Sequence, residues 1–250
     1  MARERRRLEN AIRERSPLRL HAQIRNEISH GAVLPDQRLD EETLVREYST
    51  SRNSVRAALT LLAAEGIVTR TPRNGTKVVD RIEDVRLDSG GNWSDAEFAH
   101  HEAHQLGVSV IPTPKVIGSM LRIDAPTIRV DQWIDYDKSV PACIYIKYTA
   151  VDGPQRPLML GKSAEFDEAF LRTYGSPLDR IDCTIQAVSS DERTARLLEI
   201  APGSAMLLKE RLLWDADGVP RELSHTYYIA SRSSLSTTTY AATRRETAAS

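Results

Sequence analysis

The chain has 250 residues, enough for one large or two ordinary domains. Its 40% apolar and 28% charged content is that of a globular chain able to bury real cores, which excludes a mainly disordered polypeptide. A formal net charge of −1 excludes a uniformly basic protein, so any surface for nucleic acid has to be local. Residues 1–80 hold fifteen Lys and Arg against eleven Asp and Glu, a basic module joined to a more acidic remainder. Cys143 and Cys183 are the only cysteines and stand far apart, so a reducing, cytoplasmic setting is expected. No apolar run approaches the ~18 residues of a membrane span. The charged N-terminus lacks the apolar core of a signal peptide.

Residues 1–16 form an Arg-rich tail in which Arg3, Arg5, Arg6, Arg7, Arg13 and Arg15 alternate with Glu4, Glu9 and Glu14. It reads either as a frayed, solvated end or as an arm that touches phosphates on DNA. Pro17 opens the first helix, with Leu20, Ile24 and Ile28 on one face and Gly31 as its stop. A second helix starts near Asp40, where Asp40, Glu41 and Glu42 suit the positive helix end, and Leu44, Val45 and Tyr48 face inward. The turn Ser49-Thr50-Ser51 leads to a third helix with Ser51 as N-cap and Gly66 as C-terminal stop. Val55, Leu59 and Leu62 make its apolar stripe; Arg52, Asn53, Arg56 and Thr60 make the other face. Arg reads guanine and Asn reads adenine in the major groove, so this face suits a recognition helix as well as a plain solvated surface. Ile67-Val68-Thr69-Arg70 and Thr76-Lys77-Val78-Val79 flank Asn74-Gly75 and read as a hairpin, with Arg73, Asn74 and Lys77 near its tip. Three helices and a two-stranded wing over residues 17–80 specify a winged helix-turn-helix for double-stranded DNA.

The run Gly31…Leu39-Asp40-Glu41-Glu42…Ser51-Arg52-Asn53-Ser54-Val55-Arg56-Ala57-Ala58-Leu59…Leu62…Glu65-Gly66-Ile67-Val68…Gly75-Thr76…Val78 resembles the DNA-binding domain of GntR-family bacterial regulators. The resemblance covers about residues 17–79 and implies that Arg52, Asn53, Ser54, Arg56, Asn74 and Gly75 contact the operator. Where that family usually has Leu-Pro-Ser-Glu-Arg, this chain has Leu39-Asp40-Glu41-Glu42-Thr43, which removes an arginine that often contacts DNA and adds acids beside the duplex.

Residues 81–92 end in Ser89-Gly90-Gly91-Asn92 and read as a linker. Across 93–232 the pattern becomes mixed. Ser94 to Gln105 reads as a helix. Thr127 to Ile134, Ala142 to Thr149, Ile181 to Val188, Met206 to Trp214 and Leu223 to Ile229 read as strands. Asp135-Tyr136-Asp137-Lys138 and Asp215-Ala216-Asp217-Gly218 read as the turns of two hairpins. Helices fit Ala164 to Thr173 and Asp191 to Glu199, the latter capped by Ser190. This order gives an α+β domain with a mainly antiparallel sheet. The Ser/Thr-rich segment 233–250 is expected to be a disordered tail.

Residues 181–232 resemble the second half of the UTRA effector domain found in one GntR subfamily. The likeness rests on Ala195-Arg196-Leu197-Leu198, Pro202-Gly203, Glu210-Arg211, Asp217-Gly218-Val219-Pro220, Glu222 and Tyr228. It implies a chorismate-lyase-like fold, a small anionic effector, and ligand contacts from Arg211, Glu222 and Tyr228. Two arginines often hold the anion on the strand before the first hairpin; counting back from Pro141, Trp133 and Asp135 stand there instead. The stretch before Leu121 is short of the usual helix. Those departures weaken the case for a phosphorylated ligand and leave an apolar or cationic ligand, or none, open. Trp133 reads as core or as pocket wall.

His100-His101-Glu102-Ala103-His104 places His100 and His104 at helical i, i+4 spacing, as zinc ligands can be, but it is not His-Glu-x-x-His and has no Cys near it. No nucleophile elbow, P-loop or dinucleotide fingerprint occurs, so no catalytic residue, metal or cofactor is assigned. The expectation is a cytoplasmic transcription regulator, a repressor and homodimer, whose operator binding responds to a small-molecule effector. Two alternatives remain at this point: a constitutive DNA-binding regulator whose C-terminal domain only dimerises, and a lyase-like enzyme fused to a DNA-binding module.

Overall fold

The computed structural model describes residues 16–71, 75–79, 82–87, 100–154, 158 and 165–239. The chain divides into two compact units, Met1–Asp84 and Val85–Ser250.

The first unit holds α1 (Pro17–Ser29), β1 (Arg38–Leu39), α2 (Glu41–Glu47), α3 (Arg52–Ala64), β2 (Val68–Thr71) and β3 (Gly75–Val78). Each helix starts on a side-chain cap: Ser16 accepts from Arg19 N–H, Asp40 from Thr43 N–H, and Ser51 from Ser54 N–H. The N–H of Thr43 holds the Asp40 carboxyl below its ordinary range. Gly31 and Gly66 follow α1 and α3 at φ of 71° and 76°, where a Cβ would be strained. Leu20, Ile24 and Ile28 of α1 and Val55, Leu59 and Leu62 of α3 are fully buried in one core with Leu44, Ile67 and Val78. Each such Leu or Ile contributes about 1.5–3 kcal/mol. The wing has three strands rather than two, in the order β1-β3-β2, all antiparallel. The extra strand has only two residues, too short for periodicity to show.

The second unit is a six-stranded sheet in the order β5-β6-β7-β10-β9-β8, antiparallel at every pairing. Its strands are β5 (His101–Pro112), β6 (Thr127–Asp137), β7 (Val140–Thr149), β8 (Leu178–Ser189), β9 (Ala205–Asp215) and β10 (Pro220–Ile229). Helices α4 (Lys115–Leu121) and α6 (Glu192–Leu197) cover one face, over Ile128, Leu212 and Leu223 and over Ile134, Ile144 and Met206 respectively. Helix α5 (Phe166–Tyr174) packs Phe166 and Phe170 against Tyr145 and Leu213 on the other. The fold class is α+β, as expected.

Several expectations are corrected. Residues 94–99 lie outside the described residues, but 101–105 belong to strand β5, not to a helix. Register with β6, from His101 opposite Asp137 to Pro112 opposite Thr127, overrides the local helical pattern. His101 and His104 therefore stand on a strand, where His101 Nδ1 lies 2.5 Å from the buried Asp135 carboxylate and His104 meets the Tyr136 ring edge-on. A helix does precede Arg122, namely α4, which ends on Arg122 at φ of 53°. The β6–β7 turn is Lys138-Ser139, both with positive φ (46° and 71°), a type I′ geometry two residues beyond the expected start. Asp191, not Ser190, caps α6, accepting from Thr194 N–H at 2.7 Å; Ser190 is buried and donates to Ala201 C=O. Ser233–Ser236 is not disordered but forms β11 beside Val85 and Arg86 of β4 (Glu83–Arg86), with Leu87 N–H donating to Ser236 C=O. Val85 is buried there with Cys143 and Tyr228. Among the described residues no helix is long and apolar enough to cross a membrane.

Candidate DNA-binding face and effector site

Helix α3 buries one stripe and presents the other. Arg52, Asn53 and Arg56 are exposed on the side opposite Val55, Leu59 and Leu62. Ser54 is half-buried, and its hydroxyl lies 2.9 Å from that of the cap, Ser51, so it works inside the cap as much as outside it. Gly75 opens β3 at φ of 75°, and a Cβ there would stand 3.5 Å from the Arg38 guanidinium. Lys77 is exposed in mid-strand, 3.5 Å from Asp36. Arg73 and Asn74 lie outside the described residues.

The structure adds groups that the sequence pattern did not single out. Arg56 Nε donates to Glu41 at 2.8 Å, and Arg70 reaches the other oxygen of the same carboxylate at 3.3 Å. Arg70 also donates to Thr60 at 2.8 Å, and Arg52 donates to Glu42 at 3.0 Å. A cleft of about 700 Å³ opens beside this cluster, lined by Arg38, Glu41, Arg70, Thr71 and Gly75. Arg70 sits in β2 with no motif to mark it, and only the fold brings it to α3.

In the second unit, strand register brings polar residues onto one sheet face. Asp131, Lys147, Ser224, Arg211 and Cys183 stand opposite one another across β6, β7, β10, β9 and β8. The next row is Trp133, Tyr145, Thr226 and Lys209; the one after contains Asp135, Cys143 and Tyr228. All four expected effector contacts share this face. Arg211, Glu222 and Tyr228 are buried, and Trp133 is half-buried against Tyr145 and Phe166.

Glu222 is held from both sides: Tyr145 OH donates to it at 2.6 Å and Tyr174 OH at 3.0 Å. Burial, then the adjacent Glu222 charge, pushes both phenols well above their ordinary value, so they stay protonated donors. Burial pushes Lys147 down, while Glu222 and Asp131 pull it back up. Burial likewise lowers Arg211, opposed by Tyr145, Tyr228, Cys183 and Glu222, and its guanidinium stands 5.5 Å from the Phe166 ring. Lys209 lies over the Tyr228 ring at 5.3 Å. Arg129 grips Asp131 with two hydrogen bonds of 2.8 and 2.9 Å. Sequence reasoning missed Arg129, Lys147 and Lys209, although their alternation with apolar residues was legible. Trp133 Nε1, Thr149 Oγ1 and Thr226 Oγ1 are buried polar atoms with no hydrogen-bond partner among the described residues. Buried groups of that kind cost free energy unless a ligand or water meets them.

Comparison with known proteins agrees with this division. Residues 18–78 match the family of bacterial regulatory proteins called gntR, and residues 100–234 match the UTRA domain. A histidine utilization repressor of Pseudomonas putida is 25% identical over 209 residues, covering 79% of this chain and 83% of its own length. An uncharacterized HTH-type transcriptional regulator of Rhizobium meliloti is 23% identical over 222 residues, covering 85% and 90%. The crystal structure of PhnF from Mycobacterium smegmatis superposes with a TM-score of 0.59 at 21% identity, over 89% of this chain and 99% of that one.

Proposed function

The chain belongs to the gntR family of bacterial regulatory proteins, carries a UTRA domain, and is a DNA-binding transcription regulator rather than an enzyme; from that premise we propose that it is a cytoplasmic homodimeric repressor released from its operator by a small anionic effector. The observation that carries the DNA reading is the exposed row Arg52, Asn53 and Arg56 on a helix whose other side is wholly buried. A two-fold operator takes two such helices about one duplex turn apart, ~34 Å, hence the dimer. The repressor sense is supported by the relative named for histidine utilization.

The anionic class is supported by four cations on one sheet face, Arg129, Lys147, Lys209 and Arg211. Set against the carboxylates Asp131, Asp135 and Glu222 of the same face, they leave an excess of one positive charge. The orphaned Thr226 Oγ1 and Trp133 Nε1 are the further polar contacts. An effector that binds the free and operator-bound forms unequally shifts operator affinity by that difference, without any other assumption.

The test is binding of the purified protein to its own upstream DNA against random duplex at fixed salt. Arg52→Ala and Arg56→Ala are each expected to cost ~1–3 kcal/mol on the operator and much less on random DNA. Equal losses on both DNAs would reduce these residues to phosphate contacts and end the base-reading assignment. Small carboxylates and phosphate esters are then added to the operator complex, and release is the expected response.

A further inference from the structure

Two acidic side chains lie against the two arginines of the recognition helix. Glu42 accepts from Arg52 Nη2 at 3.0 Å, and Glu41 accepts from Arg56 Nε at 2.8 Å. Arg52 and Arg56 are more than half exposed, so both remain open to a ligand while paired. Glu41 is the more enclosed acid, and it also holds Arg70 of β2, tying α2, α3 and the wing together through one carboxylate.

Helix stability alone does not account for this arrangement. An acid in the first turn of α2 favours the helix dipole wherever its side chain points. Asp40 already satisfies the Thr43 N–H as the cap. Neither role requires Glu41 and Glu42 to reach across to α3. On a DNA-facing surface each carboxylate also adds repulsion from phosphate, so their placement calls for a benefit on the DNA side.

We propose that Glu41 and Glu42 are specificity-determining buttresses: each fixes one edge of a recognition arginine and neutralises its charge, so that the arginine favours base edges over phosphates. The inference rests on α3 being the DNA-reading element, which the arginine variants above test separately. Guanidinium geometry allows the arrangement. An acceptor bound at Nε leaves the two terminal nitrogens of Arg56 for a guanine, and Nη2 of Arg52 has a second hydrogen beyond the one given to Glu42. A buttressed arginine also enters the groove with fewer rotamers to lose. On random DNA, where no base edge matches, the paired arginine gains little, because its charge is already met by the carboxylate. Removing the carboxylate charge frees that arginine to neutralise a phosphate wherever the protein lands.

The experiment measures the full-length protein and its Glu41→Gln and Glu42→Gln variants on operator and on random duplex across a salt series. Gln keeps the shape and one acceptor oxygen, which serves Arg52 at position 42 and Arg56 at position 41, where the longer bond to Arg70 is given up, so each recognition arginine can stay in place while its neutralising charge is gone. Each variant is expected to bind random duplex about fivefold more tightly at 0.15 M salt and to steepen the salt slope by about one unit, the effect of one added phosphate contact. Operator affinity is expected to change by less than about twofold, so discrimination falls by about 2.5-fold or more. Parallel gains on both DNAs would mean that the acids merely repel the duplex, and would overturn the proposal. Unchanged random-DNA affinity would overturn it as well. A large operator loss confined to one base pair would show a direct carboxylate contact to cytosine in its place. Thermal melting of each variant checks the fold; with both acids exposed or half-exposed, little change is expected.

Discussion

Replacing Glu222 by Gln is the sharpest probe of the effector unit. The carboxylate is fully buried and accepts hydrogen bonds from Tyr145 and Tyr174 at 2.6 and 3.0 Å. It is also a counter-charge for Lys147 and Arg211, both of which it pulls upward. Gln has nearly the same volume, so no cavity enters the comparison. Its NH2 group meets a tyrosine that is itself a donor, so one of the two hydrogen bonds is lost or must turn. A hydrogen bond to a charged group is worth about 1.5–3 kcal/mol, against about 1 for a neutral one. Leaving buried cations without their partner costs about 3–5 kcal/mol when a pair is broken outright. Part of this is offset because a neutral amide is easier to bury than a carboxylate. A net loss of about 3–4 kcal/mol is expected, which for a domain of this size lowers the melting temperature by about 6–16 °C. Urea unfolding followed by tryptophan fluorescence reads it through Trp133 and Trp214. A loss under about 1 kcal/mol would show that the cations do not depend on Glu222 and would refute the reasoning. If Glu222 acted only as a ligand contact, induction would fail with stability intact; the structure predicts that the two fail together.

Two further predictions concern caps and phenols. Ser51→Ala removes the acceptor for Ser54 N–H and is expected to cost the first unit about 1 kcal/mol, read by chemical denaturation; a loss below about 0.3 kcal/mol would mean that solvent replaces the cap. Tyr145 and Tyr174 have folded pKa values raised above the ordinary 10, so the folded state keeps protons that the unfolded chain releases. Their contribution is therefore complete below pH 10 and is lost as pH rises beyond it. Ultraviolet titration should show these two phenols ionising only with unfolding, and Tyr174→Phe should flatten the alkaline decline in stability. Early ionisation of both would place them in contact with solvent.

The first unit was legible in the sequence because its determinants are local. Ser51, Val55, Leu59, Leu62 and Gly66 mark a helix by cap, period and stop within one short span, and all behave in the structure as that pattern requires. Strand β5 was not legible, because its order comes from pairing with β6, while its own residues are mostly exposed and carry a helix-like His spacing. Strand β11 was hidden for a similar reason: Ser233–Ser236 has the composition of a loose tail, and only the neighbouring segment at Val85 gives it a partner. The type I′ turn at Lys138-Ser139 carries neither Asn nor Gly, so its position could not be read from turn chemistry.

The candidate sites divide along the same line. Arg52, Asn53 and Arg56 come from one helix, and their shared face follows from 3.6-residue periodicity alone. The proposed effector face draws Trp133 from β6, Lys147 from β7, Glu222 and Thr226 from β10, and Lys209 and Arg211 from β9. Period-two alternation tells which residues of one strand share a side, but which residues of different strands meet depends on register and strand order. Here the order β6-β7-β10-β9 sets two hairpins side by side, so that Lys147 stands opposite Ser224, and Ser224 opposite Arg211. A search for the anion site at the two positions before the first hairpin therefore finds Trp133 and Asp135, and misses the cations that the sheet gathers from β7 and β9. The charge expected on one strand is present on the face as a whole, and the fold rather than the motif decides where an effector would find it.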